Sequence, residues 1–331
     1  DFMIDVNVDR TLNKNYSTLF KDTANTGKFS SLNPYAGGGF SISYISFQTL
    51  FGKFDPNTTS QTFKTFEENR LGYGRYAQDV LVPSFIAAYT KQDPNSVALL
   101  NTGETGSVKT NPFKGYMPKP NWRVTYNGLS KIPGIENVLS NFTISHAYNS
   151  TLSMNPYFLV PNLLISEQFA PLIGIDFSTP SQLSGRFEYK KSRQLSLSLA
   201  DFQLSEVHST EITFGMRWRK RGVNLPFNLN MGGREQTPKQ GASQTGSDIT
   251  FALDFSIRDD INSNSRLDQQ NAYATGGQKV ISIRPTIDYV LNNRINLQLY
   301  FDQRRVSPYI SNAAPSVNTR GGLQIRISLA Q

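Results

Sequence analysis

Apolar residues recur at every second position over most of the second half of the chain. The longest alternating segments cover residues 249–257, 280–289 and 321–330. Because successive side chains of a β-strand point to opposite faces, each segment has one apolar face and one polar face. Shorter segments of the same kind cover residues 183–189, 195–199, 212–218, 227–231 and 295–301. The chain from 122 to 331 is therefore predicted to be a run of antiparallel β-strands.

The length of the alternating segments bears on what their apolar faces contact. Strands of globular proteins average about 5–6 residues, whereas a tilted transmembrane strand needs about 9–11, and the three longest segments fall in the second range. Their polar positions carry large charged groups, which a wide barrel places in a water-filled lumen and a soluble sandwich places on its outer surface. The pattern favours an outer-membrane barrel over a sandwich. The candidate lumen-facing residues are Arg186, Glu188, Lys190, Arg217, Arg284 and Asp288.

The connections between these strands are predicted to alternate in length. Residues 190–193 (KKSR) and Asn292 with Asn293 have the composition of short turns. Residues 232–248 and 259–278 have the composition of long polar loops. Short turns at one end and longer loops at the other are typical of outer-membrane barrels.

The first half of the chain has a different character. Residues 2–8 and 40–44 alternate like strands, and residues 58–70 have the pattern of a short polar helix with Phe63 and Phe66 on one face. Residues 76–91 indicate a second, more apolar helix, which we expect to be broken at Pro83. Residues 92–121 are predicted to form an extended connection.

These patterns divide the chain into three parts. We expect barrel strands over residues 1–56 and a helical and irregular insertion over 57–121, located at the barrel rim or in its lumen. Antiparallel barrel strands with long external loops then follow over 122–331.

Composition excludes several classes of protein. The chain has no cysteine, which excludes disulfide scaffolds, zinc ribbons, iron–sulfur clusters and cysteine nucleophiles. Its mean hydropathy of −0.39 argues against a bundle of membrane-spanning helices, while 12% aromatic residues are too many for a disordered polar chain. Alternating strands with one face in lipid and the other in water explain both values.

The net charge of +8 is spread along the chain. The densest basic run, residues 217–221 (RWRKR), is interpreted as a strand end passing into a solvated turn, so no nucleic-acid partner is expected. The chain begins at Asp1 and shows no signal peptide, from which we expect either a mature form or a piece of a longer protein.

No motif in the chain amounts to a catalytic constellation. His146 and His208 lie about sixty residues apart and neither belongs to an HExxH motif. Asp260 begins a calcium-like spacing, but Ser265 replaces the turn glycine and Asn271 replaces the final glutamate. We therefore expect no enzymatic activity, no metal site and no cofactor.

Several longer strings resemble one protein family. The most distinctive covers residues 120–131 (PNWRVTYNGLSK), which includes Trp122, Arg123, Tyr126 and Gly128. The others cover residues 82–90 (VPSFIAAYT), 142–152 (FTISHAYNSTL), 165–174 (ISEQFAPLIG) and 195–199 (LSLSL). Together they resemble the C-terminal part of the SprA family, called Sov in some relatives, the outer-membrane translocon of the type 9 secretion system of Bacteroidota.

This resemblance implies a very large single-chain barrel in the cell outer membrane. Its role would be to export folded proteins that carry C-terminal sorting domains, in support of surface display and gliding motility. The implied partners are the remainder of the barrel chain, the shuttle protein PorV at a lateral opening, a periplasmic plug protein, secreted cargo proteins and outer-membrane lipid. The role of Trp122, Arg123, Tyr126 and Gly128 stays open.

Two other classes of protein remain compatible with the alternating pattern. One is a different outer-membrane barrel, such as a porin or a TonB-dependent receptor that imports a small ligand. The other is a soluble all-β domain that binds or hydrolyses sugars.

Overall fold

One antiparallel sheet of twelve strands dominates the computed structural model. The structure describes residues 1–21, 27–28, 30–52, 60–71, 74–93, 118–157, 160–223, 248–269, 272–292, 295–309 and 313–327. The strands are β1 (Phe2–Asn7), β2 (Arg10–Lys21), β3 (Ser30–Ser43), β4 (Asn121–Tyr126), β5 (Asn141–Tyr157), β6 (Val160–Ser178), β7 (Leu183–Ser198), β8 (Gln203–Lys220), β9 (Asp248–Arg266), β10 (Ala272–Asn292), β11 (Ile295–Pro308) and β12 (Ser316–Ile327).

Each strand from β5 to β11 pairs with the next strand along the chain, and all the pairings are antiparallel. The other edge of β5 is shared, since β4 pairs with residues 144–148 and β3 pairs with residues 151–154. β1 then pairs with β4, and β2 pairs with β3. The all-β, antiparallel prediction is confirmed. Within the described residues β12 pairs only with β11, so closure of a barrel stays a prediction.

The turn predicted at residues 190–193 is wrong. These residues lie inside β7, which pairs with β8 without interruption from Leu183 to Ser198. Four consecutive polar residues have the composition of a turn. Arg193, however, is buried in an ion pair with Glu167 of the neighbouring strand. The chain turns on either side of β7 instead.

The long loop predicted at residues 259–278 is also wrong. β9 continues to Arg266 and β10 begins at Ala272, so most of this segment belongs to a hairpin. These polar residues remain extended because β9 is paired on both sides: Asp260 lies opposite Ser209 of β8 and Gln278 of β10. The hairpin predicted at Asn292 has the expected position, since Asn292 pairs with Ile295. Most of the predicted loop at 232–248 lies outside the described residues, and β9 begins at Asp248.

Two helices follow β3. Helix α1 (Gln61–Asn69) begins at Ser60, whose hydroxyl accepts a hydrogen bond from the Phe63 amide at 3.1 Å. Helix α2 (Gln78–Thr90) is not broken at Pro83, contrary to expectation. Proline removes one helical hydrogen bond, and close packing of α2 offsets that loss. The middle of the predicted connection, residues 94–117, lies outside the described residues. None of the described helices combines the length and the apolar character needed to cross a membrane.

The main core lies between these helices and one face of the sheet. Phe85 of α2 is fully buried, and its ring contacts Phe66 of α1 edge-on at 6.0 Å. Each such side chain contributes about 1.5–3 kcal/mol through burial. The sheet residues of this core come mainly from β5 to β8 and include Leu152, Met154, Leu163, Ile165, Leu195, Leu197 and Leu204.

Candidate functional site

Strand register divides the side chains of the sheet between two faces. Glu188 of β7 lies opposite Thr213 of β8, and the preceding pair, Phe187 and Phe214, points to the other side. The same division continues from β4 to β12. We call the side of Glu188 the polar face and the side of Phe187 the apolar face.

All six predicted lumen-facing residues lie on the polar face. A single row across β7 to β10 joins Arg186, Gly215, Asp254 and Arg284 through direct pairings. The others occupy the same phase of their strands, and they are Glu188, Lys190, Arg217 and Asp288. That this face lines a lumen remains a prediction.

Charges on the polar face are largely paired with one another. Glu188 forms ion pairs with Arg186 and, at 2.7 Å, with Lys190. Farther along the sheet, Asp302 lies 3.2 Å from Arg284 and 3.7 Å from Arg320. Water-exposed pairs of this kind contribute about 1 kcal/mol or less to stability. Their main effect is to balance charge along the polar face.

Surface depressions lie on the same face. One of about 570 Å³ is lined mainly by neutral polar groups, including Gln168, Gln194 and Asn262. Another of about 530 Å³ lies beside Arg186 and Arg284.

The apolar face carries a continuous band of large hydrophobic side chains, which we call the apolar band. On β9 it runs from Ile249 to Ile257, about 26 Å along the strand at ~3.3 Å per residue. Strands tilted by ~35–45° reduce this to about 20 Å, close to the ~25 Å apolar band of outer-membrane barrels. Exposed members include Ile4, Ile173, Met216, Trp218, Leu299, Phe301, Leu323 and Ile325.

One row of residues ends the apolar band. Lys191 lies opposite Thr210, Thr210 opposite Asp259, Asp259 opposite Lys279, and Lys279 opposite Ser307. We call this the boundary row. It separates the apolar band from the part of the same face that the helices cover.

A buried network of polar side chains lies just beyond the boundary row. Arg193 Nε donates to Glu167 Oε1 at 2.6 Å, and both residues are almost fully buried. Residues 44–52, which we call the strap, cross the sheet here and provide further partners. Ser46 Oγ donates to Glu167 Oε2 at 2.6 Å, and Arg193 donates to Thr49 Oγ1 at 2.6 Å.

The network continues into α2. Thr49 donates its hydroxyl hydrogen to the Tyr89 carbonyl at 2.7 Å, and Tyr89 donates its own hydroxyl hydrogen to Glu206 at 3.3 Å. Burial and then the Glu206 carboxylate raise the pKa of the Tyr89 phenol well above its ordinary value. Helix, strap and strands are thus held together by one set of polar contacts.

The network was missed in the sequence, although one signal was present. Arg193 occupies the same phase as Leu195, Leu197 and Leu199, so the alternation places a charge on an apolar face. A buried charge needs a partner of opposite sign, and Glu167 interrupts the apolar phase of β6 in the same way.

The four residues of the family-like segment do not converge on one site. Trp122 and Tyr126 lie on the apolar face, and Arg123 lies on the polar face. Trp122 packs on Tyr148 with ring centres 4.7 Å apart. A side chain at Gly128 would meet the Tyr126 ring, so this glycine permits a close turn. Their observed contacts are structural.

The two histidines of the chain lie in separate surroundings. His146 Nδ1 contacts the Leu172 carbonyl at 2.7 Å, whereas His208 Nε2 contacts Glu206 at 2.6 Å in a separate place. Asp260, from the calcium-like spacing, lies on β9 and accepts a hydrogen bond from Ser209. No cluster of three potential metal-ligating His, Cys, Asp or Glu residues occurs in the part of the chain that the structure describes.

Comparisons with known proteins add no assignment, since no protein-family model and no curated protein sequence matches the chain.

Proposed function

We propose that this chain forms part of the wall of an outer-membrane β-barrel that exports folded proteins. The apolar band contacts lipid and the polar face lines a water-filled passage. The observation that carries this proposal is the continuous apolar band on one face of the sheet, bounded by the boundary row, with a polar opposite face.

Lipid is the best occupant of the apolar band because its side chains are large and exposed. Leu299 is 51% exposed and Leu323 is 62% exposed, and both lie on the same face as Ile325 and Ile327. Soluble monomers rarely expose contiguous apolar patches of more than a few hundred Å². The length of β9 and β10, 19 and 21 residues, also exceeds what a small soluble sandwich uses.

The transport class rests on the sequence strings that resemble the type 9 translocon. The paired charges of the polar face suit a passage for varied cargo, because they present no dominant charge. Within the described residues no strand pairs with the outer edge of β12, which suits a wall that continues in the remainder of the barrel chain. PorV, a plug protein and cargo with C-terminal sorting domains belong to the same proposal.

Cysteine labelling tests which face meets lipid. The chain has no native cysteine, so a single introduced thiol gives the whole signal. Ser256 and Phe255 are neighbours on β9 that point to opposite faces. In outer-membrane vesicles opened to both sides, Ser256→Cys should react with a membrane-impermeant maleimide, and Phe255→Cys should react only after detergent is added. Equal reactivity of the two thiols in membranes, or a chain that stays monodisperse without detergent, would contradict the barrel.

Cross-linking tests the transport class separately. A photoreactive group attached at Ser282→Cys, on the polar face, should capture a cargo protein that carries a C-terminal sorting domain during export. The same group at Ile283→Cys, on the apolar face, should capture lipid only. Small-solute uptake without any cross-linked cargo would favour a porin or a TonB-dependent receptor instead.

A further inference from the structure

The basic side chains at the edge of the apolar band point to a lipid-binding function. We infer that Lys279 and Arg305, together with the Ser307 hydroxyl opposite Lys279, bind the phosphate of an anionic lipid headgroup whose acyl chains lie on the apolar band. This inference rests on the proposed function, because it needs the apolar band to face lipid.

Register places the three side chains next to one another. Ser307 lies directly opposite Lys279, and Arg305 lies opposite Ile281, two residues farther along β10. All three therefore point to the apolar face. Diagonal neighbours on paired strands are roughly 7–8 Å apart, so one phosphate group can reach both the ammonium and the guanidinium.

The chemistry of the three groups suits a phosphate monoester or diester. A guanidinium offers two parallel N–H donors, an ammonium offers three, and charge-assisted hydrogen bonds to phosphate are short and strong. The serine hydroxyl adds a neutral donor. Lys279 and Arg305 are exposed, so a headgroup reaches them without any rearrangement.

Neither base forms an ion pair with an acidic residue in the described part of the chain, although Asp259 lies directly opposite Lys279 on the same face. The acid of the boundary row is Asp259, and its Oδ1 accepts a hydrogen bond from the Tyr309 hydroxyl at 2.7 Å. In the described part of the chain neither Lys279 nor Arg305 takes part in an ion pair. On the polar face, by contrast, Arg258 and Arg284 both contact carboxylates.

The position of these groups selects a membrane lipid rather than a free phosphate. Ile281 lies on the same face as Lys279, and the apolar side of β10 continues through Ile283 and Ile287. A headgroup phosphate held at the boundary row would therefore leave its acyl chains along these residues. A second base of the row, Lys191, lies with its Nζ 5.2 Å from the centre of the exposed Phe51 ring, which extends the basic edge toward β7.

Lipid retention tests the inference. The full protein is purified in nanodiscs that contain equal parts of phosphatidylglycerol and phosphatidylcholine, and the retained lipid is counted by native mass spectrometry. Phosphatidylglycerol should be enriched around the wild-type protein. The double substitution Lys279→Gln with Arg305→Gln should reduce the enrichment about fivefold for each base removed.

The matched control removes the same charge from the other face. Arg304 and Arg326 are exposed and lie on the polar face, so Arg304→Gln with Arg326→Gln should leave the enrichment unchanged. An equal loss in this control, absence of enrichment in the wild-type protein, or displacement of the lipid by inorganic phosphate would overturn the inference.

Failure of the barrel proposal gives a different result. Brominated acyl chains quench the fluorescence of Trp218, an exposed member of the apolar band, only if the band lies in lipid. Loss of quenching contradicts the barrel itself. Full quenching without headgroup preference leaves the barrel standing and removes the phosphate site.

Discussion

Arg193 and Glu167 lie directly opposite each other on β7 and β6, and their side chains are 1% and 0% exposed. Two buried charges are stable only when hydrogen bonds satisfy both, and the strap supplies these bonds through Ser46 and Thr49. The pair therefore fixes the position of the strap as well as the register of two strands. The pair also fixes the position of helix α2, since the Thr49 hydroxyl donates a hydrogen bond to the Tyr89 carbonyl.

The first prediction concerns the removal of one partner from this pair. Arg193→Met leaves Glu167 buried without its cation, so we expect the free energy of unfolding to fall by about 3–5 kcal/mol. Glu167→Met should cost a similar amount, and the double variant should be less destabilised than the sum of the two. Urea unfolding in detergent, followed by the fluorescence of Trp122, measures the change.

The control for this prediction is an exposed ion pair. Arg258→Met breaks the contact with Asp260 on the polar face, where the arginine side chain is 54% exposed. The loss there should be about 1 kcal/mol or less. Equal effects of Arg193→Met and Arg258→Met would show that the buried network does not hold the strap.

Alternation in the sequence was sufficient to predict the strands of the apolar band. From Ile249 to Ile257 every second residue is apolar, and the pairing of β9 follows that phase. The strand segments beyond the band were not predictable in this way. Asp259, Asp260 and Asn262 are polar on both faces, so their extended state depends on the strands paired on either side.

The candidate site was predictable in part for the same reason. Arg186 and Arg284 share a face because both occupy the polar phase of strands whose register the hydrophobic pattern fixes. Burial of Arg193 was not predictable, because the strap that covers it is distant in the sequence. The only local sign of such a long-range contact is a charged residue at a position where the alternation calls for an apolar one.

A second prediction tests the packing of α2 against the sheet. Phe85 is fully buried between α1 and the strands, so Phe85→Ala should lower the free energy of unfolding by about 3–5 kcal/mol. Leu71→Ala is the control, since Leu71 is 69% exposed and should change stability by about 0.5 kcal/mol or less. Urea unfolding measures both. A small effect of Phe85→Ala would mean that α2 does not stabilise this fold.

A third prediction concerns the hydrogen bond between Tyr309 and Asp259, beyond the apolar band. Burial, and then the hydrogen bond to the Asp259 carboxylate, raise the pKa of Tyr309 from its ordinary value of 10.0 to about 12. Because the folded-state pKa is raised, the contact stabilises the protein fully below about pH 10 and loses this effect as the pH rises through about 12.

Absorbance of tyrosinate measures this shift. The difference in tyrosinate absorbance between the wild-type protein and Tyr309→Phe reports the Tyr309 phenol alone. The midpoint of its titration should lie near pH 12. In an Asp259→Asn background the same difference should move toward pH 10, because the anionic acceptor is gone. A midpoint that Asp259→Asn does not change would contradict the contact.

The last prediction tests the two faces of β9 through the cost of a charge. Phe255 points to the apolar band and Ser256 to the polar face, in register with Phe214 and Thr213 of β8. An arginine on the lipid side of a barrel near the middle of the membrane costs about 2–4 kcal/mol, whereas one in a water-filled lumen is tolerated. Phe255→Arg should therefore reduce the free energy of folding into lipid vesicles by about that amount, and Ser256→Arg should change it by less than about 1 kcal/mol. The two variants carry the same added charge at adjacent positions, so a general effect of charge on folding would appear in both. If Ser256→Arg were the more damaging substitution, lipid would lie on the opposite side of the sheet from the one that the apolar band indicates.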